Sequence, residues 1–244
     1  MQTAIYSNTY KLNFTQCYAN GQLKYSELSN LLQLCASDHA ELLGFGYREM
    51  AKNSQSWVLS RVRIEIASLP RFMQTITIKT WVQDFLGNRS IRNFEVYLAE
   101  KKIIGATSFW AVFNVQERKS ENLAVKIDPS IILPEKAATA NSFRRIELDQ
   151  TLDQYINYVP KLSDLDIVNH VNNVKYTDWC LDSLPANIVL NETFKTIDIN
   201  YLKELTLGQA IKIMQHIDAD TINFSITREN KPVLDQAEFL GSIK

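Results

Sequence analysis

Apolar and polar residues alternate over residues 9–18, where Tyr10, Leu12 and Phe14 interleave with Lys11, Asn13 and Thr15. A period of two predicts a half-buried strand. After Asn20-Gly21 the period lengthens. Leu28, Leu31, Leu32, Cys35 and Leu42 recur at helical spacing until Gly44 and Gly46, which predicts one long helix with a glycine stop. Alternation then returns: Val58, Val62, Ile64 and Ile66 interleave with Arg61, Arg63 and Glu65 as far as Leu69-Pro70. Further strands are predicted near residues 75–85, 90–99 and 103–115. The short Glu100-Lys101-Lys102 turn makes the last two an antiparallel hairpin. One strand, one helix, then a run of strands predicts an α+β layer, a helix packed on an antiparallel sheet.

From about Gln116 to Arg145 periodicity fails, and the stretch holds Pro129, Pro134 and the small-residue tract Ala137-Ala138-Thr139-Ala140. It reads as a linker. The same order then recurs: a strand near Tyr155–Leu162, a helix near Asn173–Leu184, and strands near Phe194–Leu205, Ala210–Ile217, Thr221–Arg228 and Val233–Leu240. Leu23-Lys24-Tyr25-Ser26-Glu27 aligns with Val174-Lys175-Tyr176-Thr177-Asp178 at an offset of 151, Thr75–Lys79 with Ala210–Met214 at 135, and Phe94-Glu95-Val96 with Phe224-Ser225-Ile226 at 130. Such ordered self-similarity indicates a duplicated domain: residues 1–118, a linker over 119–147, and residues 148–244. The second helix is apolar nearly all round (Val174, Tyr176, Trp179, Cys180, Leu181, Leu184), so a sheet is expected to wrap it. A helix wrapped by a curved antiparallel sheet, twice over, is a tandem hot-dog fold.

Composition narrows the function classes. The 244 residues carry 26 Lys+Arg against 27 Asp+Glu, a net charge of −1, which argues against whole-surface binding to nucleic acid. No apolar run approaches the ~20 residues of a membrane span, and the N-terminus lacks signal- or transit-peptide character. The three cysteines form no close pair, so a reducing cytoplasm is expected and a disulfide framework is not. No glycine-rich phosphate loop and no metal-spaced His/Cys cluster is present.

The densest polar cluster is Ser163–Asn173, with Asp164, Asp166, His170 and three asparagines (Asn169, Asn172, Asn173) just before the second helix. One reading is structural: Asn172 or Asn173 caps the helix, and the acids favour its dipole. The repeat favours a site. At the offset of 151 the first copy has Thr15 for Asp166 and Ala19 for His170, and at 135 it has Leu69 for Glu204. One copy reads as scaffold and the other as site. Other candidates read as structural: His39 as a partly buried helix residue, His216 as a strand residue, and the three cysteines as core. Arg61, Arg63, Lys79, Arg89 and Arg92 offer a basic face for an acidic carrier protein, although each taken singly reads as part of a solvated sheet face.

Asp164-Leu165-Asp166 followed by His170-Val171-Asn172-Asn173-Val174-Lys175-Tyr176 resembles the acyl-acyl-carrier-protein (acyl-ACP) thioesterases of plants and bacteria. Trp57–Arg61 and Gly105–Trp110 support the resemblance, which spans about Tyr10 to Leu240. It implies a tandem hot-dog fold with catalytic residues in the C-terminal half and an acyl pocket in the N-terminal half. It also implies hydrolysis of a fatty acyl thioester on the carrier protein's phosphopantetheine, without metal or cofactor. The tandem supplies the paired hot dogs that single-copy members gain by dimerising, so a monomer or homodimer is expected. The family's Asp-x-Asn-x-His falls on Asp166–His170 and its downstream glutamate on Glu204. Val168 stands at the asparagine position, beside Asn169. Leu205 follows Glu204 where plant members have a cysteine, which excludes a cysteine nucleophile there. The implied roles are water activation by Asp166 and Glu204 with His170, or an acyl-carboxylate intermediate, and oxyanion binding by N–H groups near Asn172-Asn173. An acyl-CoA donor, or a non-catalytic acyl-binding role, are the alternatives; a hot-dog dehydratase ranks last.

Overall fold

The structure, a computed structural model, describes residues 3–146, 154–191, 193–218 and 220–228, and the backbone of 231–240. The strands described are β1 (Ile5–Lys11), β2 (Gln55–Ile66), β3 (Thr75–Leu86), β4 (Arg89–Leu98), β5 (Lys101–Asn114), β6 (Lys119–Ser120), β7 (Gln154–Tyr158), β8 (Thr196–Asn200), β9 (Ile211–Ile217), β10 (Thr221–Arg228) and β11 (Lys231–Leu240). The helices are α1 (Tyr25–Leu42), α2 (Tyr47–Ala51), α3 (Asn173–Asp182) and α4 (Ala186–Asn191). The strands form one sheet in the order β1-β3-β4-β5-β2-β8-β11-β10-β9-β7, with β6 on β5. The second five are the counterparts of the first five in reverse order. Two copies of one hot-dog sheet therefore meet edge to edge at the antiparallel β2–β8 pair, from Arg61↔Asn200 to Glu65↔Thr196. Joining the copies pairs two edges that would otherwise be open.

α1 and α3 lie on the inner face and pack on each other. One core runs through both halves, from Leu28 and Leu32 of α1 across Ile64 and Ile197 at the seam to Trp179 and Leu181 of α3. Each fully buried Leu, Ile or Phe contributes about 1.5–3 kcal/mol. Polar contacts also cross the seam: the Phe194 N–H donates to the Tyr25 hydroxyl at 3.1 Å and Asn20 Nδ2 to the Leu190 carbonyl at 2.6 Å. Gly44, at φ +81°, ends α1. The Gly44 N–H bonds the Glu41 carbonyl and the Phe45 N–H the Ala40 carbonyl, a Schellman stop that turns Phe45 inward.

Residues 131–141 strap the outer face of the first half. The Ala138 N–H donates to Asn93 Oδ1 at 2.9 Å, Trp81 Nε1 to the Lys136 carbonyl at 2.9 Å, and the Ala140 N–H to Glu65 Oε2 at 2.7 Å. Gly105 admits the strap, because a Cβ there would lie 2.1 Å from the Ala138 carbonyl oxygen.

The structure corrects several expectations. The strand expected over 9–18 ends at Lys11, because Asn13 caps a 3-10 turn at Phe14–Gln16. The strand expected to reach Leu162 stops at Tyr158, and that near Phe194–Leu205 is confined to Thr196–Asn200. α2 and α4 were not expected. The offset of 151 is also wrong. N-caps Lys24 and Asn172, and the bridges Cys17↔Leu23 and Leu165↔Val171, fix it at 148. Tyr18 and Gln22, not Thr15 and Ala19, are thus the counterparts of Asp166 and His170. Short hydrophobic matches slip easily by one helical turn, whereas caps do not. The basic face fails at two positions. Arg63 is buried against Asp198 at 2.6 Å and Arg92 is buried on the inner face.

Candidate active site

The loop before α3 is built on two aspartates. Asp164, 5% exposed, accepts from the Tyr158 hydroxyl and the Lys161 N–H at 2.8 Å each, and its carbonyl accepts from the Asn172 N–H. Asp166 Oδ1 accepts from the N–H groups of Val168 and His170, both at 3.0 Å. The Asp166 N–H bonds the His170 carbonyl at 2.8 Å and the Asn169 N–H bonds the Asp166 carbonyl at 3.1 Å. The turn needs a left-handed residue, supplied by Asn169 at φ +64° and by its counterpart Gly21 at φ +83°; asparagine tolerates that region better than most residues. Asn172 then caps α3, its Oδ1 accepting from the Val174 N–H at 3.2 Å.

The Val171 N–H bonds the Leu205 carbonyl at 2.8 Å and so holds the loop beside the segment after β8. That contact brings His170 Nδ1 to 3.4 Å from Glu204 Oε1, the two side chains being 27% and 33% exposed. Glu204 Oε2 lies 3.3 Å from Arg118 Nη2, and Arg228 Nη2 donates to the Glu204 carbonyl. His170 and Glu204 are therefore in direct contact. Asp166 joins them through the His170 backbone. Asn169 is an exposed turn residue and Asn172 a cap. Asn173 opens α3, and its N–H has no acceptor among the described residues, as is usual in a helix's first turn.

Arg118 and Arg228 escaped sequence reading. Arg118 belongs to the first half, in the β5–β6 turn at φ +55°. Only the β2–β8 seam brings it to the second half's site, and no linear pattern announces that. Among the described residues no group of three His, Cys, Asp or Glu is arranged to hold a metal. Cys35 and Cys180 are buried, and burial pushes the Cys35 thiol up to about 12 and the Cys180 thiol higher still. Neither is a nucleophile at neutral pH.

A cavity of about 410 Å³ lies in the first half, between the inner sheet face and α1. Ala36, Ala40, Phe45, Met50, Trp57 and Trp110 give it an apolar wall, and Ile167 and Asn172 of the second half's loop border it. The size is that of a small-molecule site. The cavity of one half thus abuts the ionisable loop of the other.

The model of the acyl-ACP thioesterase N-terminal domain matches residues 3–129 and that of the C-terminal domain residues 148–238. This chain belongs to the acyl-ACP thioesterase family. It is 26% identical over 234 residues to a chloroplastic palmitoyl-acyl carrier protein thioesterase of Gossypium hirsutum, covering 90% of this chain and 57% of that one. With a chloroplastic oleoyl-acyl carrier protein thioesterase of Coriandrum sativum it shares 27% over 239 residues, 87% of this chain and 64% of that one. The chain thus spans about three-fifths of the length of these relatives. An acyl-ACP thioesterase from Bacteroides thetaiotaomicron has the same fold, with a TM-score of 0.89, 24% identity and 97% of each chain covered. So does the 12:0-ACP thioesterase from Umbellularia californica, with a TM-score of 0.82, 18% identity and 98% of each chain covered.

Proposed function

We propose that this family member hydrolyses fatty acyl-ACP thioesters to free fatty acid and carrier protein. The observation that carries the reading is the His170–Glu204 contact at the loop whose Ile167 and Asn172 border an apolar cavity of the other half. The acyl chain enters the cavity, which leaves its thioester carbonyl at the loop. Glu204 and His170 take a proton from water as its oxygen attacks that carbonyl. With Nδ1 turned to Glu204, Nε2 is the ring nitrogen left for water or the leaving group. The tetrahedral oxyanion draws on N–H groups at the α3 start, of which that of Asn173 has no acceptor among the described residues. Collapse expels the carrier thiolate, which takes the proton back from His170. Asp166 holds His170 in place through the His170 backbone N–H. The three free cysteines fit a reducing cytoplasm, and no described helix is long and apolar enough to cross a membrane.

The test is turnover on matched acyl-ACP and acyl-CoA substrates, followed by thiol release. Higher kcat/KM on acyl-ACP is expected. A preference for CoA would move the donor, and retention of acyl groups without turnover would make the chain a binding protein. Single turnover in heavy-oxygen water, with mass analysis of the protein, is expected to leave Asp166 and Glu204 unlabelled; label in either carboxylate would establish an acyl-enzyme.

A further inference from the structure

The loop fixes where the Glu204 side chain begins but not where its carboxylate ends. Arg228 Nη2 donates to the Glu204 carbonyl, and the neighbouring Leu205 carbonyl accepts from the Val171 N–H at 2.8 Å. Beyond that main chain a glutamate turns about several bonds, and this side chain is 33% exposed. Among the described residues two groups hold the carboxylate, one on each oxygen. His170 Nδ1 lies 3.4 Å from Oε1, and Arg118 Nη2 lies 3.3 Å from Oε2. The imidazole gains and loses a proton during turnover. Arg118 keeps its charge throughout, so it is the partner that can hold the carboxylate steady.

Arg118 is set in a fixed turn. β5 and β6 pair as Phe113↔Ser120 and Asn114↔Lys119 on either side of it. Asn114 Oδ1 accepts from the N–H groups of Gln116 and Glu117 at 3.0 and 2.9 Å, and the Val115 N–H bonds the Ser54 carbonyl at 2.8 Å. Arg118 follows at φ +55°, a left-handed position that glycine occupies freely and arginine only with strain. Its guanidinium carbon lies 5.8 Å from the Phe113 ring centre, within cation–π reach, which braces the side chain on its way to Glu204. The pair with Glu204 is exposed and adds little stability. Strain that stability does not repay points to function. We propose that Arg118 is a positioning residue, by which the first half aims the Glu204 carboxylate of the second half at His170. This rests on the reading that Glu204 and His170 carry the proton chemistry. Docking of the carrier protein is the other use of an exposed arginine at this rim, and the test separates the two.

The measurement is kcat and KM on octanoyl-ACP and on octanoyl-pantetheine, which has no carrier protein. The proteins are wild type, Arg118→Gly, Arg118→Met, Arg118→Lys, Glu204→Gln and the double variant Arg118→Gly with Glu204→Gln. Arg118→Gly is expected to melt at or above the wild-type temperature, because glycine relieves the backbone, yet to lose about tenfold or more in kcat on both substrates. Arg118→Met loses as much, and Arg118→Lys recovers part of the loss. In the double variant Arg118→Gly adds no further loss, because the arginine acts through Glu204. Crystal structures supply a readout that needs no turnover: Glu204 faces His170 in wild type and turns away in Arg118→Gly. A wild-type kcat in Arg118→Gly, a loss confined to KM on octanoyl-ACP, or an unmoved Glu204 in the variant crystal would overturn the proposal. Full turnover by Glu204→Gln, or none by wild type, would defeat the hydrolytic reading instead, and the crystal comparison would still decide whether Arg118 aims Glu204.

Discussion

Asp166 and Glu204 are two carboxylates at one loop, and their partners give them different work. Asp166 Oδ1 is held by two backbone N–H groups, whereas Glu204 faces one imidazole and one guanidinium. Asp166→Asn keeps an acceptor at Oδ1 and is expected to melt close to wild type. Asp166→Ala leaves both N–H groups without that acceptor and is expected to lose about 1–2 kcal/mol in urea titration. Asn172→Ala removes the α3 cap and costs about 1 kcal/mol by the same measurement. Arg118 is 63% exposed at its side chain, so its pairing with Glu204 adds little stability.

At the scale of elements, the strap and the sheet decide each other's sequence. Gly105→Val places a branched side chain where the Ala138 carbonyl lies, so either the strap lifts or β5 bends. A loss of about 2 kcal/mol or more is expected, together with faster proteolysis within residues 131–141. The strand alternation of β2 to β5 and the helical period of α1 were legible in the sequence, because burial on one face writes a simple period. What misled was local competition. Asn13 alternates correctly with its neighbours, yet its side chain accepts from the Thr15 N–H and starts a 3-10 turn. The cluster Asp166-His170 and Glu204 was legible through the contrast between copies, which survives the corrected offset. Arg92 was misread because a basic residue on an alternating strand looks the same whether it faces water or a cavity.

At the scale of the whole molecule, mild acid should weaken the fold through one buried histidine. His39 sits among Arg92, Thr80, Cys35 and Tyr6, the last stacked on it at 5.6 Å. Its pKa falls from 6.5 unfolded to about 4 folded, so the unfolded chain binds more protons between those values. Stability is therefore full above about pH 6.5 and declines as pH falls toward 4. Urea midpoints measured across that window should fall in wild type and flatten in His39→Gln. Glu65 acts at lower pH. Burial opposes its charge, but the N–H groups of Ala140 and Asn141 and the Arg63 side chain outweigh burial and depress its pKa. Its contribution is lost only as pH drops through that lowered value.

In the proposed mechanism the two halves divide the work, one lending the cavity and the other the proton chemistry. The direct measurement is thiol release from octanoyl-ACP by wild type and Glu204→Gln, each first shown by circular dichroism and thermal melting to be folded alike. A fall of about a hundredfold or more in kcat, with KM changed little, is the predicted result. A Glu204→Gln protein that turns over at the wild-type rate would contradict it.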